Sequence, residues 1–301
     1  MPVADDLSSK EKNGSEGVQS GDTPERLVLR LRFSRSGPPV WLAHLDLMRT
    51  FERAVKRAKL PVQWSAGFNP RPDLVFALPI GVGLETCADY VDIGLLPAVE
   101  RKAEVDVEAE AEAEVKVEAK IEAEEDAGLE IEASDLAERL NAALPVGIQI
   151  VSAQVRPAER ESIMARIAFA DYQLEASGLA AATEKALAQP ELFVNKASKG
   201  KTRRLDILPL IVEAVTDSPD SLRLRVKAGS SENLRPDLFL AALTEYGGLA
   251  ETAAADALMV RTGLYLKPGT TDNAPVDPLG APMPPQPARC QAELQRPKSC
   301  C

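Results

Sequence analysis

The run His44-Leu-Asp-Leu-Met-Arg-Thr-Phe-Glu-Arg-Ala-Val-Lys-Arg-Ala58 can bury only one side of itself, and it commits the chain to a layered fold. At 100° per residue, Leu47, Met48, Phe51, Ala54, Val55 and Ala58 fall on one face of a helix, while Arg49, Arg53, Lys56 and Arg57 fall on the other. An apolar stripe of that width needs a sheet or another helix beneath it. The preceding Leu27-Val-Leu-Arg-Leu-Arg-Phe33 supplies the partner, because its period of two places Leu27, Leu29, Leu31 and Phe33 on one face of a strand. The residues 34–39 turn between the two, and Pro61 stops the helix.

The pattern continues as short strand-like runs at 62–65, 73–78 and 90–96. A helix follows, N-capped by Ser134 and carrying Leu136, Ala137, Leu140 and Ala143 on one face, and then a strand over 147–155. The order β-α-β-β-α-β is the split βαβ, or ferredoxin-like, arrangement. The second half repeats it: strand 163–174, helix 180–188, strand-like runs 192–196 and 205–215, strand 222–227, helix 236–246 with Pro236 in its first turn, and strand 257–266. The expected fold is therefore α+β, with two tandem ferredoxin-like domains over 26–157 and 158–267. A polar tail over 1–25 precedes them, an alternating acidic low-complexity insertion over 98–133 interrupts the first, and a proline-rich tail over 268–301 follows as a linker or a polyproline segment.

Net charge gains its meaning from its location. The whole chain carries −11, but residues 100–132 account for −10 and residues 1–26 for −3, so the remainder is mildly basic at +2. No apolar run reaches the ~20 residues of a membrane span, and the polar N-terminus does not resemble a signal peptide, so a soluble protein of the cytoplasm without membrane contact is expected. Cys87, Cys290, Cys300 and Cys301 form neither a disulfide framework nor a zinc spacing. Among the acids, Asp46 has Arg49 three residues on, and Asp89 and Asp92 differ in strand parity, so neither a metal nor a cofactor is expected. Phosphate-binding glycine loops and the serine-hydrolase elbow are missing from the sequence.

A guanidinium stripe on a core-packing helix suits a polyanion, and RNA is the one expected. Candidate contacts are Arg49, Arg53, Lys56 and Arg57 on the helix, and Phe68, Asn69 and Arg71 in the constrained loop Ser65-Ala-Gly-Phe-Asn-Pro-Arg-Pro72. The densest basic run, Lys196, Lys199, Lys201, Arg203 and Arg204, reads as a phosphate-tracking hairpin tip. Arg261 and Tyr265 are expected together on one face of the last strand, as in sheet-face RNA readers. His44, the only histidine, opens the helix on its apolar side. It reads as a buried structural residue, as a phosphate or base contact, or as a neutral general base acting on a ribose hydroxyl.

His44-Leu-Asp-Leu-Met-Arg49 followed by Ser65-x-Gly-Phe-Asn-Pro-x-Pro72 resembles the radical-SAM-associated protein family, whose domain occurs alone or joined to radical SAM enzymes. Val194–Asp206, Leu234-Arg-Pro-Asp237 and Arg261-Thr-Gly-Leu-Tyr265 share the resemblance. The family tends to have Ser before the histidine and His after Asn-Pro, where this chain has Ala43 and Arg71. Losing the serine removes an N-cap worth ~1 kcal/mol. The cysteine cluster of radical SAM enzymes is absent, so the resemblance implies an accessory without that chemistry. The leading expectation is an RNA-binding, non-catalytic accessory for radical SAM-dependent RNA modification or processing, acting on a transfer or ribosomal RNA. One alternative is a metal-independent RNA endonuclease using His44, by fold-level analogy with CRISPR-RNA endonucleases built from tandem ferredoxin-like domains. The other is a protein-only scaffold for a radical SAM enzyme.

Overall fold

The computed structural model describes residues 26–96, 132–198, 201–267 and 275–288. The tail 1–25, the body of the acidic insertion, Lys199 and the three C-terminal cysteines lie outside the described residues. In chain order, β1 (Leu27–Arg35), α1 (His44–Arg57), β2 (Leu74–Phe76) and β3 (Glu85–Gly94) precede the insertion, and α2 (Ala133–Ala143) and β4 (Ile148–Pro157) follow it. The second half runs α3 (Ile163–Arg166), β5 (Ile167–Glu175), α4 (Leu179–Leu187), β6 (Phe193–Ser198), β7 (Lys201–Asp206), β8 (Ile211–Ser218) and β9 (Ser221–Lys227). It closes with α5 (Pro236–Ala242), α6 (Glu251–Ala255) and β10 (Leu258–Leu266).

Eight strands join in one sheet, in the order β4-β1-β3-β10-β5-β9-β8, with β2 paired to β3. Each half contributes four strands, and the halves meet where β10 runs parallel to the start of β3, Val260 beside Glu85 and Arg261 beside Thr86. The seam is short because β2 occupies the far end of β3, opposite Val91 to Ile93. β6 and β7 form a separate two-stranded hairpin. The protein is thus a mixed α/β structure built on a sheet shared by both halves.

Several local expectations shift for identifiable reasons. The run 62–65 makes only isolated bridges, Val62 to Leu95 and Trp64 to Pro72, because the prolines at 61, 70 and 72 deny it a ladder. The strand expected from 163 starts at Ile167. Ser162 accepts a hydrogen bond from the Ala165 N–H and caps the single turn α3 first. α2 begins at Ala133, one residue before its expected cap Ser134. The run 205–215 is broken by Pro209 into the end of β7, a 3-10 turn and β8.

One face of the sheet carries Leu29, Leu31, Phe33, Val91, Ile93, Leu174, Leu222, Leu224 and Leu264 in a continuous core with the helices. Phe33, Phe51 and Phe76 meet edge to face at 5.1–6.0 Å, which locks α1 onto β1 and β2. The other face is charged and nevertheless buried. Arg30 forms a bidentate pair with Asp92 directly across β1 and β3, and Arg225 does the same with Asp171 across β9 and β5, all four contacts at 2.7–2.8 Å. The proline-rich stretch expected to be a linker lies over this face between 275 and 288. Arg30 and Arg156 donate to the carbonyl of Pro278, Arg225 to those of Pro284 and Gln286, and Arg223 to that of Pro287. Tyr90 donates to Asp277, and Asp171 accepts from the Ala288 N–H.

Packing leaves no slack where Gly247, at the end of a π-helical turn, passes α4. A Cβ there would stand 2.2 Å from the Ala182 carbonyl oxygen, a backbone atom that cannot swing away. Gly247→Ala is expected to lose about 1–3 kcal/mol of stability in denaturant unfolding, and an unchanged midpoint would show that α4 is not held against this turn.

Candidate nucleic-acid interface

α1 presents its cations outward because Leu47, Phe51, Ala54 and Val55 are buried in the core beneath it. Its N-terminus rests on Ala43 in an extended conformation with no side-chain cap. Its C-terminus is tied down by an exchange of arginines. Arg139 of α2 donates to the carbonyls of Ala58 (2.7 Å) and Lys59 (2.6 Å), while Arg57 of α1 donates to the carbonyl of Ala143. Arg57 therefore serves to cap α2. Arg49 pairs with Asp46 at 3.1 Å and Arg53 donates from Nε to the Arg49 carbonyl, leaving their guanidinium faces at the surface with exposed Lys56.

The loop 65–72 stands beside this stripe. Ser65 closes it twice, its N–H donating to the Arg71 carbonyl and its hydroxyl accepting from the Arg71 N–H. Gly67 sits at φ +139°, a backbone region that favours glycine. Arg71 reaches within 3.9 Å of Glu52 on α1, so loop and helix form one surface. Phe68 is fully exposed at its tip, Asn69 is exposed next to it, and Trp64 is partly exposed at its base. The tight closure explains the constrained sequence, and Phe68 takes no part in the core.

The basic run 194–206 does form a hairpin, β6 to β7, with Lys196 directly opposite Arg203. Like charges facing across a ladder repel, and an anion between them relieves this. Arg204 folds back over the Phe193 ring at 4.1 Å, so it is partly committed to a cation–π contact within the hairpin. Asp206 accepts from the N–H groups of Leu192 and Leu208 and anchors the base of the hairpin.

Residues 28–127 and 105–236 match the family described as an uncharacterized protein conserved in bacteria (DUF2344). The chain belongs to this family. No curated protein matches it. The match spans the helix stripe, the loop and the hairpin of this DUF2344 protein, and ends just inside α5.

Arg261 and Tyr265 do not share an open face. A β-bulge shifts the β10 register, so that Arg261 pairs with Tyr172 but Gly263 with Asp171, and strand parity inverts between them. Arg261 turns to the core face and binds Asp89 twice, at 2.6 and 2.7 Å, with the Tyr172 hydroxyl as a further partner. Burial opposes its charge, but Asp89 and Tyr172 outweigh this and raise its pKa. Tyr265 turns to the strap side and donates to Asp171 at 3.0 Å, and its ring lies over Gly263, where a Cβ would meet the hydroxyl at 2.4 Å. Both are buried, so neither stands on an open face. Sequence reasoning missed Arg30, Arg223 and Arg225. The signal was Arg-x-Arg on one strand face, in Arg30-Leu-Arg32 and Arg223-Leu-Arg225, paired in register with Asp92 and Asp171.

His44 packs edge-on against Phe76 at 5.4 Å, and its buried Nδ1 has no hydrogen-bond partner among the described residues. Among these residues, no group of three or more His, Cys, Asp and Glu side chains gathers as metal ligands would, and no helix is long and apolar enough to cross a membrane. Desolvation lowers the His44 pKa from 6.5, Asp89 opposing and Arg261 and Arg35 reinforcing the shift. The folded-state value lies below the unfolded one, so the unfolded chain binds more protons in this window. The stability contribution is complete above about pH 6.5 and falls as pH drops below it. Because this is the chain's sole histidine, wild-type melting temperature should fall between about pH 7 and 5.5, and His44→Asn should flatten that slope. A variant that keeps the full slope would assign it to other groups.

Proposed function

We propose that this protein is an RNA-binding accessory that makes no covalent change itself and presents a transfer or ribosomal RNA to a separate radical SAM enzyme in the cytoplasm. The observation that carries the RNA reading is the fully exposed Phe68 on a closed loop whose Arg71 reaches Glu52 of α1, the helix that bears Arg49, Arg53 and Lys56 on its surface. An unburied aromatic ring next to guanidinium and ammonium groups suits an unstacked base and its flanking phosphates. The Lys196–Arg203 pair on the hairpin adds a second place for phosphates. The radical SAM link rests on the motif resemblance, since the chain lacks that enzyme's cluster ligands. The strand orders β4-β1-β3-β2 and β10-β5-β9-β8 support reading each half as a ferredoxin-like unit, a scaffold used for RNA recognition in other proteins. His44 takes a structural role under this reading, because its ring is wedged against Phe76.

RNA affinity is expected to fall linearly with log salt, and the double change Arg53→Ala and Lys56→Ala should reduce the slope by roughly 0.7–0.9 per lost phosphate contact. Phe68→Ala should cost about 1–3 kcal/mol of binding, with the salt slope unchanged, if a base stacks on the ring. Filter binding with total transfer RNA and with ribosomal RNA across a salt series measures both. Affinity that responds to neither salt nor these substitutions removes RNA from the reading.

A further inference from the structure

At the seam between the halves lies a cavity of about 370 Å³, toward the small end of sites that hold one small molecule. Its apolar wall is the bend between β2 and β3, chiefly Ile80 and Val82, with Met259 of β10. Arg35 holds this bend from behind, donating to the carbonyls of Gly81 (2.7 Å), Leu84 (2.6 Å) and Leu42 (3.2 Å), and the Gly83 N–H donates to the Val40 carbonyl at 2.8 Å. The wall is thereby fixed to residues 40–42, which lead into α1. The exposed Trp41 ring lies against the same bend, 3.7 Å from where a Cβ on Gly83 would stand.

The polar side of the cavity comes from the Leu234-Arg-Pro-Asp237 motif, which the RNA surface does not use. Arg235 is extended ahead of the buried Pro236 (φ −84°, ψ 145°), and Asp237 follows on the other side. The two side chains meet at 2.7 Å, through Nη2 of Arg235 and Oδ2 of Asp237, and both are about half exposed. Such a pair contributes little to stability and is readily shared with a ligand. The other arginine of the lining, Arg261, spends its fork on Asp89. Burial raises the pKa of Tyr172, so its hydroxyl stays protonated. Each cation of the lining is thus balanced by an acid. The cavity suits a neutral ligand whose hydrogen-bonding edge places acceptors and donors side by side.

We propose that this cavity binds a guanine base, with O6 facing a donor of Arg235, N1–H and N2–H₂ facing the carboxylate of Asp237, and the purine rings against Ile80, Val82 and Met259. Side by side, the pair reads donor, acceptor, acceptor, and the Watson–Crick edge of guanine reads acceptor, donor, donor. Uracil has one donor between two acceptors, and adenine has one donor group and one acceptor, so neither fills all three positions. Cytosine meets the pair only in the reversed order, and its single ring covers less of the apolar wall. The inference rests on the RNA reading only for the source of the base, because a guanine of bound single-stranded RNA and a free guanine nucleotide offer the same edge.

Calorimetric titration of the full chain with the 5′-monophosphates of guanosine, inosine, adenosine, cytidine and uridine tests the proposal, since ribose and phosphate are common to all five. Guanosine monophosphate is expected to bind about tenfold or more tighter than the adenosine, cytidine and uridine compounds. Inosine monophosphate, which lacks the 2-amino group, should fall between. Asp237→Asn turns one acceptor into a donor. It should weaken guanosine monophosphate about tenfold and improve xanthosine monophosphate, whose C2 carries a carbonyl in place of the amine. A merely structural aspartate gives no such exchange. Val82→Trp, at an exposed position of the wall, is the second variant and should abolish binding of guanosine monophosphate at an unchanged melting temperature. A uridine hexanucleotide carrying one guanine that binds tighter than guanosine monophosphate assigns the source to RNA, and the reverse assigns it to a free nucleotide. Equal binding of all five compounds, a preference for any base other than guanine, absence of binding by every probe, or a guanine affinity indifferent to both variants would overturn the proposal. Arg53→Ala with Lys56→Ala should weaken the hexanucleotide and leave guanosine monophosphate alone, so failure of the RNA reading and failure here are separately visible.

Discussion

The sheet depends on arginine–aspartate pairs that span its strands. In the first half the arginine is on β1 and the aspartate on β3, as Arg30 and Asp92. In the second half the strands in the same places carry the opposite charges, Asp171 on β5 and Arg225 on β9. Each pair sits at directly facing register positions, so a slip of one residue would send a guanidinium into the apolar core and leave its aspartate alone. Buried pairs of this kind contribute little net stability, since desolvating both charges offsets their attraction. Removing one partner costs about 3–5 kcal/mol because the other is stranded. Their physical effect is to make alternative registers expensive in a sheet whose leucine and valine strands would otherwise tolerate them.

The third pair, Arg261 with Asp89, does the same across the seam. Only two residues of β10 pair with β3, and Thr86 donates its hydroxyl to the Arg261 carbonyl there. Backbone bonding at the seam is therefore sparse, and a charge-assisted fork inside the core supplies the orientation. That fork also sets the local field. Asp89 is consumed by Arg261, so Arg35 keeps its charge with carbonyl partners alone, and His44 lies within reach of both cations with a neutral ring favoured. Burial is the main cause of the lowered pKa of His44, and the two charges of the fork act on it in opposite directions.

Much of this was readable from residues. The stripe Leu47-Phe51-Ala54-Val55 dictated both the helix and its buried side, the alternation of 27–33 dictated β1, and the opposite parity of Asp89 and Asp92 foretold that they would part company, one to each face. Other features escaped because their cause is not local. The bulge after Arg261 adds a residue that periodicity cannot reveal, and it separates Arg261 from Tyr265. Arg57 looks like one more cation of a stripe until α2 arrives with an unsatisfied terminal carbonyl. The seam needed knowledge that β2 is short, which the prolines around it only hint at. The docked stretch 275–288 reads as a linker because its cohesion lies in arginines far away in sequence.

That strap has a consequence for how the molecule can vary. Its partners take hold of peptide carbonyls, at Pro278, Pro284, Gln286 and Pro287, and those carbonyls are present whatever side chains accompany them. Proline suits the role because it offers a carbonyl without an N–H that would compete for the aspartates, and because its fixed φ keeps the chain extended. Two strap side chains read as particular residues: Asp277 turns the strap by accepting from the N–H groups of Leu279 and Ala281, and Gln286 accepts from Arg223 through its amide oxygen. Most of the strap's hold therefore comes from its backbone, whereas the arginines beneath it act through their side chains. A face that looks from its composition like the most solvated part of the sheet is held by side chains that each have a fixed place, beneath a segment held chiefly by its backbone.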